Sequence, residues 1–135
     1  MALSFRYRKE LIHGHTIHFP KIPVTLHNKA CRIDTAALLD SGATDIFIPR
    51  EIAEALELEL KNRDFADGWN GKFAVWESAV GIVVGKGSQT HRMTVKCIVP
   101  DETGENQEII FGRSFFSFFE VTFNEEKKIT TLKKI

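Results

Sequence analysis

The sequence predicts a mainly β chain with two short helices, and three observations lead there. Alternating or β-branched segments recur along most of the 135 residues. Short turn signals rich in Gly and Asn separate them. Only two stretches space their apolar residues as a helix does. A hydrophobic content of 43% with 27% charged residues is ordinary for a globular chain. A chain of this length suits one domain, 1–135, burying about two-thirds of the surface its unfolded form exposes.

The segments follow in order. Ile22 to Leu26 and Cys31 to Leu39 read as strands joined at a His27-Asn28 turn. Ile46 to Ile48 is a short third strand. A helix is expected over Pro49 to Leu58: Pro49 suits the first helical position, Glu51 and Glu54 favour the positive end of the dipole, and Ile52, Ala55 and Leu56 recur on one face. Phe73 to Val84 and Thr90 to Val99 are long strands around Gly85 to Gly87. Asn70-Gly71, before the first of them, is the strongest hairpin signal, because a type I′ turn needs positive φ at both central residues. Asp101 to Asn106 is a polar loop. Ile109-Ile110, a short helix over Arg113 to Phe119, and the strands Val121 to Phe123 and Ile129 to Leu132 around an Asn124 to Lys128 turn complete the chain.

Composition excludes several classes of function. With 18 basic and 18 acidic residues there is no whole-molecule field to gather nucleic-acid phosphates or an anionic membrane. Lys133-Lys134 reads as a solvated tail. A nucleic-acid-binding barrel needs exposed aromatics on a basic face, whereas Phe115, Phe116, Phe118 and Phe119 cluster at helical spacing and read as core or dimer contact. No apolar run approaches the ~20 residues of a membrane span. No signal-peptide stretch opens the chain, and Cys31 and Cys97 match no metal-ligand spacing. They read as reduced core thiols of a cytoplasmic protein, a disulfide remaining open. His13, His15, His18 and His27 lie near the start, but no acid or thiol completes a ligand set, so no metal and no cofactor is expected.

One feature carries chemistry. Leu38 to Ala43 reads Leu-Leu-Asp-Ser-Gly-Ala, and the triplet Asp40-Ser41-Gly42 lies between two apolar runs. Asp-(Ser/Thr)-Gly arises by chance in about one chain in twenty of this length. Taken alone it is better read as a turn whose aspartate bonds its own backbone. Its place in a loop between two apolar runs is unusual for an acid. Asp34-Thr35-Ala36 looks similar but has no glycine to admit close backbone approach, and reads as strand or turn.

Three blocks in order resemble the retropepsin-like aspartic proteases, the family of the retroviral proteases and their small cellular relatives. Ala37 to Ile48 resembles that family's catalytic strand, loop and following strand. Trp69-Asn70-Gly71-Lys72 falls where the family has its flap, the hairpin that closes over bound peptide. Ile109 to Phe116, with Gly112-Arg113 at its centre, resembles the segment that supports the catalytic loop and opens the last helix. Val121 to Ile129 then looks like the hairpin that often follows. The likeness covers about residues 22–132.

The resemblance implies a closed β-barrel acid-protease domain that hydrolyses peptide bonds with Asp40, and a homodimer. This chemistry uses two carboxylates sharing a proton, no second triplet occurs, and the simplest source is Asp40 of another copy across a two-fold axis. Ser41, Gly42, Ala43, Gly112 and Arg113 would support the loop and the dimer contact, and Trp69, Asn70 and Gly71 would form the flap over a peptide or unfolded-protein substrate. There are two departures. The acid that pairs with the family's arginine is replaced by Thr44, leaving Asp45 or solvent for Arg113, and the flap lacks a glycine-rich tip. A second reading keeps the fold without the reaction: a dimeric scaffold that holds extended peptides by strand addition.

Overall fold

A computed structural model describes residues 2–68, 71–104 and 107–135. In chain order it contains β1 (Ala2–Arg6), β2 (Arg8–Ile12), β3 (His15–Phe19), β4 (Lys21–Asn28), β5 (Cys31–Leu39), β6 (Ile46–Phe47), α1 (Arg50–Ala55), β7 (Lys61–Gly68) and β8 (Gly71–Val84). After a 3₁₀ turn at Gly87–Gln89 come β9 (His91–Pro100), β10 (Ile110–Phe111), α2 (Arg113–Phe116), β11 (Phe119–Asn124) and β12 (Ile129–Lys134).

The main sheet runs β4-β5-β10-β6-β9-β8-β7, and β4 also pairs with β8 through Thr25 to His27. That second pairing closes six strands into a barrel and leaves β7 outside, attached to β8 alone. Closure removes the open edges that would otherwise invite pairing with other chains. Alternation explains the core, since β4 sends Ile22, Val24 and Leu26 inward while β8 sends Val80, Ile82 and Val84. Phe111, Phe115 and Phe119 stack at 4.8 and 5.2 Å between ring centroids and fill one end. Phe116 and Phe118 are only half-buried.

Two further sheets come from the chain ends. β12 lies between β1 and β11, its Leu132 opposite both Leu3 and Val121. Lys133 and Lys134 therefore belong to a strand rather than a solvated tail, with the Lys134 ammonium over the rings of Phe118 and Phe119. β2 and β3 pair only with each other. Neither hairpin strand was evident in the sequence, nor was β7, because their burial follows no inward-outward alternation; β1 was missed as well, although its exposure alternates.

Several boundaries differ from expectation for identifiable reasons. The β4–β5 turn is Lys29-Ala30, not His27-Asn28, with Lys29 at φ 53°. Asn28 instead turns its amide to the Leu56 and Glu57 carbonyls, at 3.0 and 3.1 Å. Helix α1 begins one residue after Pro49 and buries Ala53 and Leu56, leaving Ala55 exposed. It stops short of Leu58 in a Schellman turn, in which Leu58 N–H bonds the Ala53 carbonyl and Glu57 N–H that of Glu54. Glu57 occupies the left-handed position usually given to glycine, at φ 54°. Helix α2 ends at Phe116, not Phe119, because Phe119 already begins β11. No helix among the described residues is long and apolar enough to cross a membrane.

Candidate active site

Asp40 follows the last residue of β5, at one end of the barrel. Strand β10 lies between β5, parallel to it, and β6, antiparallel to it, so the segments before and after the Asp40 loop flank one strand. The Asp40 N–H bonds the Phe111 carbonyl at 3.1 Å, and Leu39 N–H on the other side bonds Pro20 at 3.1 Å. Within the loop, Gly42 N–H donates to Asp40 Oδ1 at 2.9 Å, and Ala43 N–H to the Asp40 carbonyl at 3.2 Å. A Cβ at Gly42 would lie 3.2 Å from Asp40 Oδ1, tight for the carboxylate that this amide orients. Asp40 and Ala43 are half-buried, whereas Ser41 and Gly42 are exposed.

The segment after β10 closes the loop from behind. Three successive amides, of Gly112, Arg113 and Ser114, donate to the carbonyls of Asp45, Ala43 and Thr44 at 3.0, 2.9 and 3.0 Å. Residue 112 has no room for a side chain: a Cβ there would sit 2.6 Å from the Ala43 carbonyl oxygen and nearer still to that of Asp45. Its φ of −83° is open to any residue, so close approach and not left-handed geometry demands glycine. Arg113 is exposed, and its Nη2 reaches Thr44 Oγ1 at 3.4 Å. Among the described residues no carboxylate forms an ion pair with it; Asp45 instead helps hold the Lys96 ammonium above its usual range, behind Glu77. Ser114 Oγ is buried without a partner among the described residues.

The structure thus brings Asp40, Ser41, Gly42, Ala43, Gly112 and Arg113 together. Trp69 and Asn70 lie outside the described residues. Gly71 is not a central turn residue but the first paired residue of β8, opposite Gly68, at φ 98°. Asp34, in β5, accepts from Thr25 Oγ1 at 2.6 Å and has no part in the site. Strand alternation sends His15 and His18 to opposite faces of their hairpin. Among the described residues no cluster of histidine, cysteine or acid is placed to hold a metal. The two thiols are apart, Cys97 buried in the core and Cys31 donating to Glu57 Oε2 at 3.1 Å.

Sequence reasoning missed a contact set at the root of the β7–β8 hairpin. Asp101, assigned to a plain polar loop, accepts from the Trp76 indole N–H at 2.7 Å and lies 3.6 Å from both Arg63 and Arg50. Its own N–H bonds the Ala74 carbonyl at 2.9 Å, and its carbonyl accepts from Arg50 Nη1 at 3.1 Å. One residue therefore ties β7, β8 and α1 to the loop before β10. The Trp76 hydrogen bond, helped by the two arginines, holds the Asp101 carboxyl below the usual carboxylate range.

A six-stranded closed barrel with an Asp-Ser-Gly loop braced by a glycine from the strand at its centre defines the retropepsin-like fold of the aspartic proteases. The aspartyl protease family model matches residues 22–115, and the chain belongs to that family. No curated protein sequence matches the chain. Among solved structures, the retropepsin-like aspartic protease from Rickettsia conorii aligns with a TM-score of 0.61 at 17% identity, over 98% of this chain and 90% of that one. EIAV protease in complex with the inhibitor HBY-793 gives 0.54 at 18% identity, over 73% and 86%. The retroviral protease-like domain of Ddi1 from Leishmania major gives 0.54 at 13%, over 88% and 91%. At these identities the likeness is one of fold.

Proposed function

We propose that this chain is an aspartic endopeptidase active as a homodimer, with one Asp40 carboxylate from each copy flanking the water that attacks a peptide bond. The observation that carries this is the construction of the Asp40 loop. The Gly42 amide's bond to the Asp40 carboxylate is one that any turn aspartate makes, but the loop backbone is held as well by three hydrogen bonds from residues 112–114. A turn aspartate needs no such frame, whereas a reacting group gains from being held in one geometry.

The chemistry follows from pairing. Two unit charges about 4 Å apart repel by roughly 4 kcal/mol at an effective dielectric of 20, equivalent to about three pKa units. One carboxyl of a close pair therefore keeps its proton where an isolated one would lose it. The ionised member takes a proton from water as its oxygen attacks the carbonyl carbon, and the protonated member donates to the carbonyl oxygen, giving a tetrahedral diol. Collapse breaks the C–N bond as the amine takes the proton that the first carboxyl removed from water and a diol hydroxyl returns its proton to the second. Gly42, beside the carboxylate, leaves room for backbone approach, and the exposed Ser41 hydroxyl would bond the partner's loop. The substrate is an extended peptide or an unfolded protein, with Gly71 and its hairpin on the covering side.

Asp40→Asn tests the reading. The variant is expected to keep the parent's circular dichroism and sedimentation and to lose cleavage of a peptide library by about 10² to 10⁴-fold or more. Equal cleavage by parent and variant would refute it. Turnover separates the scaffold reading, since a silent module of the same fold would bind peptides without cleaving them.

A further inference from the structure

The β2–β3 hairpin is the part of the fold that its own barrel does not explain. It forms a separate two-stranded sheet, and isolated hairpins of this size are only marginally stable in water. It also concentrates exposed apolar surface, carrying three of the seven large hydrophobic side chains that stand exposed among the described residues: Leu11 at 75%, Ile12 at 36% and Ile17 at 40%. Cross-strand pairing places Ile12 and Ile17 on one face and Leu11 on the other. Folding back onto its own domain would cover one face only.

The base of the hairpin, by contrast, is fixed. Tyr7 is buried at the root of β2, and its N–H bonds the Lys128 carbonyl at 2.8 Å. Lys21, just after β3, bonds Glu10 at 2.6 Å and Glu108 at 2.9 Å, tying β2 to β4 and to the segment before β10. Pro20, between β3 and β4, accepts from the N–H of Leu39, the residue before Asp40. The arm therefore springs from the edge of the catalytic loop, and its five-residue strands are about 17 Å long.

We propose that the β2–β3 hairpin is a dimerisation arm whose Leu11, Ile12 and Ile17 pack on a second copy of this chain beside the catalytic loop. The inference rests on the homodimer reading above and goes beyond it by naming a surface. If two Asp40 loops meet, the partner must lie next to the arm's base. The six-residue loop 40–45 is far too small to supply the ~800 Å² per partner that a stable interface needs, so neighbouring surface must contribute. At such a seam the arm has its own domain on one side and the partner on the other, which suits an arm with Ile12 and Ile17 on one face and Leu11, among Lys9, Thr16 and His18, on the other.

Sedimentation across a dilution series tests this on the full chain, comparing the parent, Asp40→Asn and the triple variant Leu11→Thr, Ile12→Thr, Ile17→Thr. Threonine keeps the β-branched preference for strand, and circular dichroism with hydrogen exchange at β4, β8 and β9 checks that the barrel is intact. The expected result is a dimer for the parent and Asp40→Asn, and a dissociation constant raised by about tenfold or more in the triple variant. Arm amides should exchange more slowly in the parent as concentration rises. If the triple variant dimerises as the parent does, the arm is not the contact while the homodimer stands. If it dimerises normally but shows a raised KM, the arm binds substrate and the proposal falls. If the parent is monomeric at every concentration, the arm and the paired active site both fail.

Discussion

Residue 112 shows how one atom's worth of space shapes the site. Three backbone hydrogen bonds converge on the carbonyls of Ala43, Thr44 and Asp45, and any Cβ at position 112 would meet two of those oxygens. Gly112→Ala is therefore expected to cost about 2–3 kcal/mol, read as a lower urea midpoint with an unchanged slope. The loop must shift to admit the methyl, so the orientation of Asp40 should suffer with it. Sequence alone identified Gly112-Arg113 as part of the site by resemblance, but not the physical reason for the glycine. That reason is a contact between positions about seventy residues apart. Arg113 illustrates the same limit, since its choice between Asp45 and solvent depended on side-chain reach, and its guanidinium meets the Thr44 hydroxyl.

At the scale of elements, Asp101 works as a latch on the β7–β8 hairpin. Because its pKa is lowered in the folded state, its contribution is fully present above the unfolded value and is lost as pH falls through the folded one. The window lies below the ordinary value of 3.8. The side chain is 32% exposed, so screening keeps the effect modest. Acidification through that range should speed amide exchange at the hairpin root, after correction for intrinsic rates, and shift the Trp76 indole N–H resonance. Asp101→Asn should be flat over the same range; an equal pH response in that variant would exclude Asp101 as the latch. Helix α1 shows a related compromise. Its apolar face was legible, but its end depends on Glu57 adopting a left-handed conformation and on Asn28 reaching its last carbonyls from another strand.

For the whole molecule, closure of the barrel through β4 and β8 leaves Cys97 with no exposed surface, and burial pushes its thiol up to about 12. Cys31 stays partly accessible, its thiol held up by the hydrogen bond to Glu57. In the native state only Cys31 is expected to react with a maleimide, while Cys97 should label at the rate of global opening and so report kinetic stability. Rapid labelling of both would contradict a closed core at β9.

The β character, most strands of the barrel, two helix positions and the candidate carboxylate were all legible in the residues. Alternation, turn chemistry and the Asp-Ser-Gly run are local signals, and the barrel strands from Ile22 onward carry them because one of their faces is buried. Strands β2, β3 and β7 were not legible, since a hairpin exposed on both sides has no buried face to impose a pattern. Tertiary structure alone decided that β12 lies between β1 and β11, that Asp101 joins four segments, and that Pro20 brings the arm against Leu39. Each of these is a contact between residues far apart in the chain. Local preference sets which elements form, and only the closure of the barrel sets which of them meet.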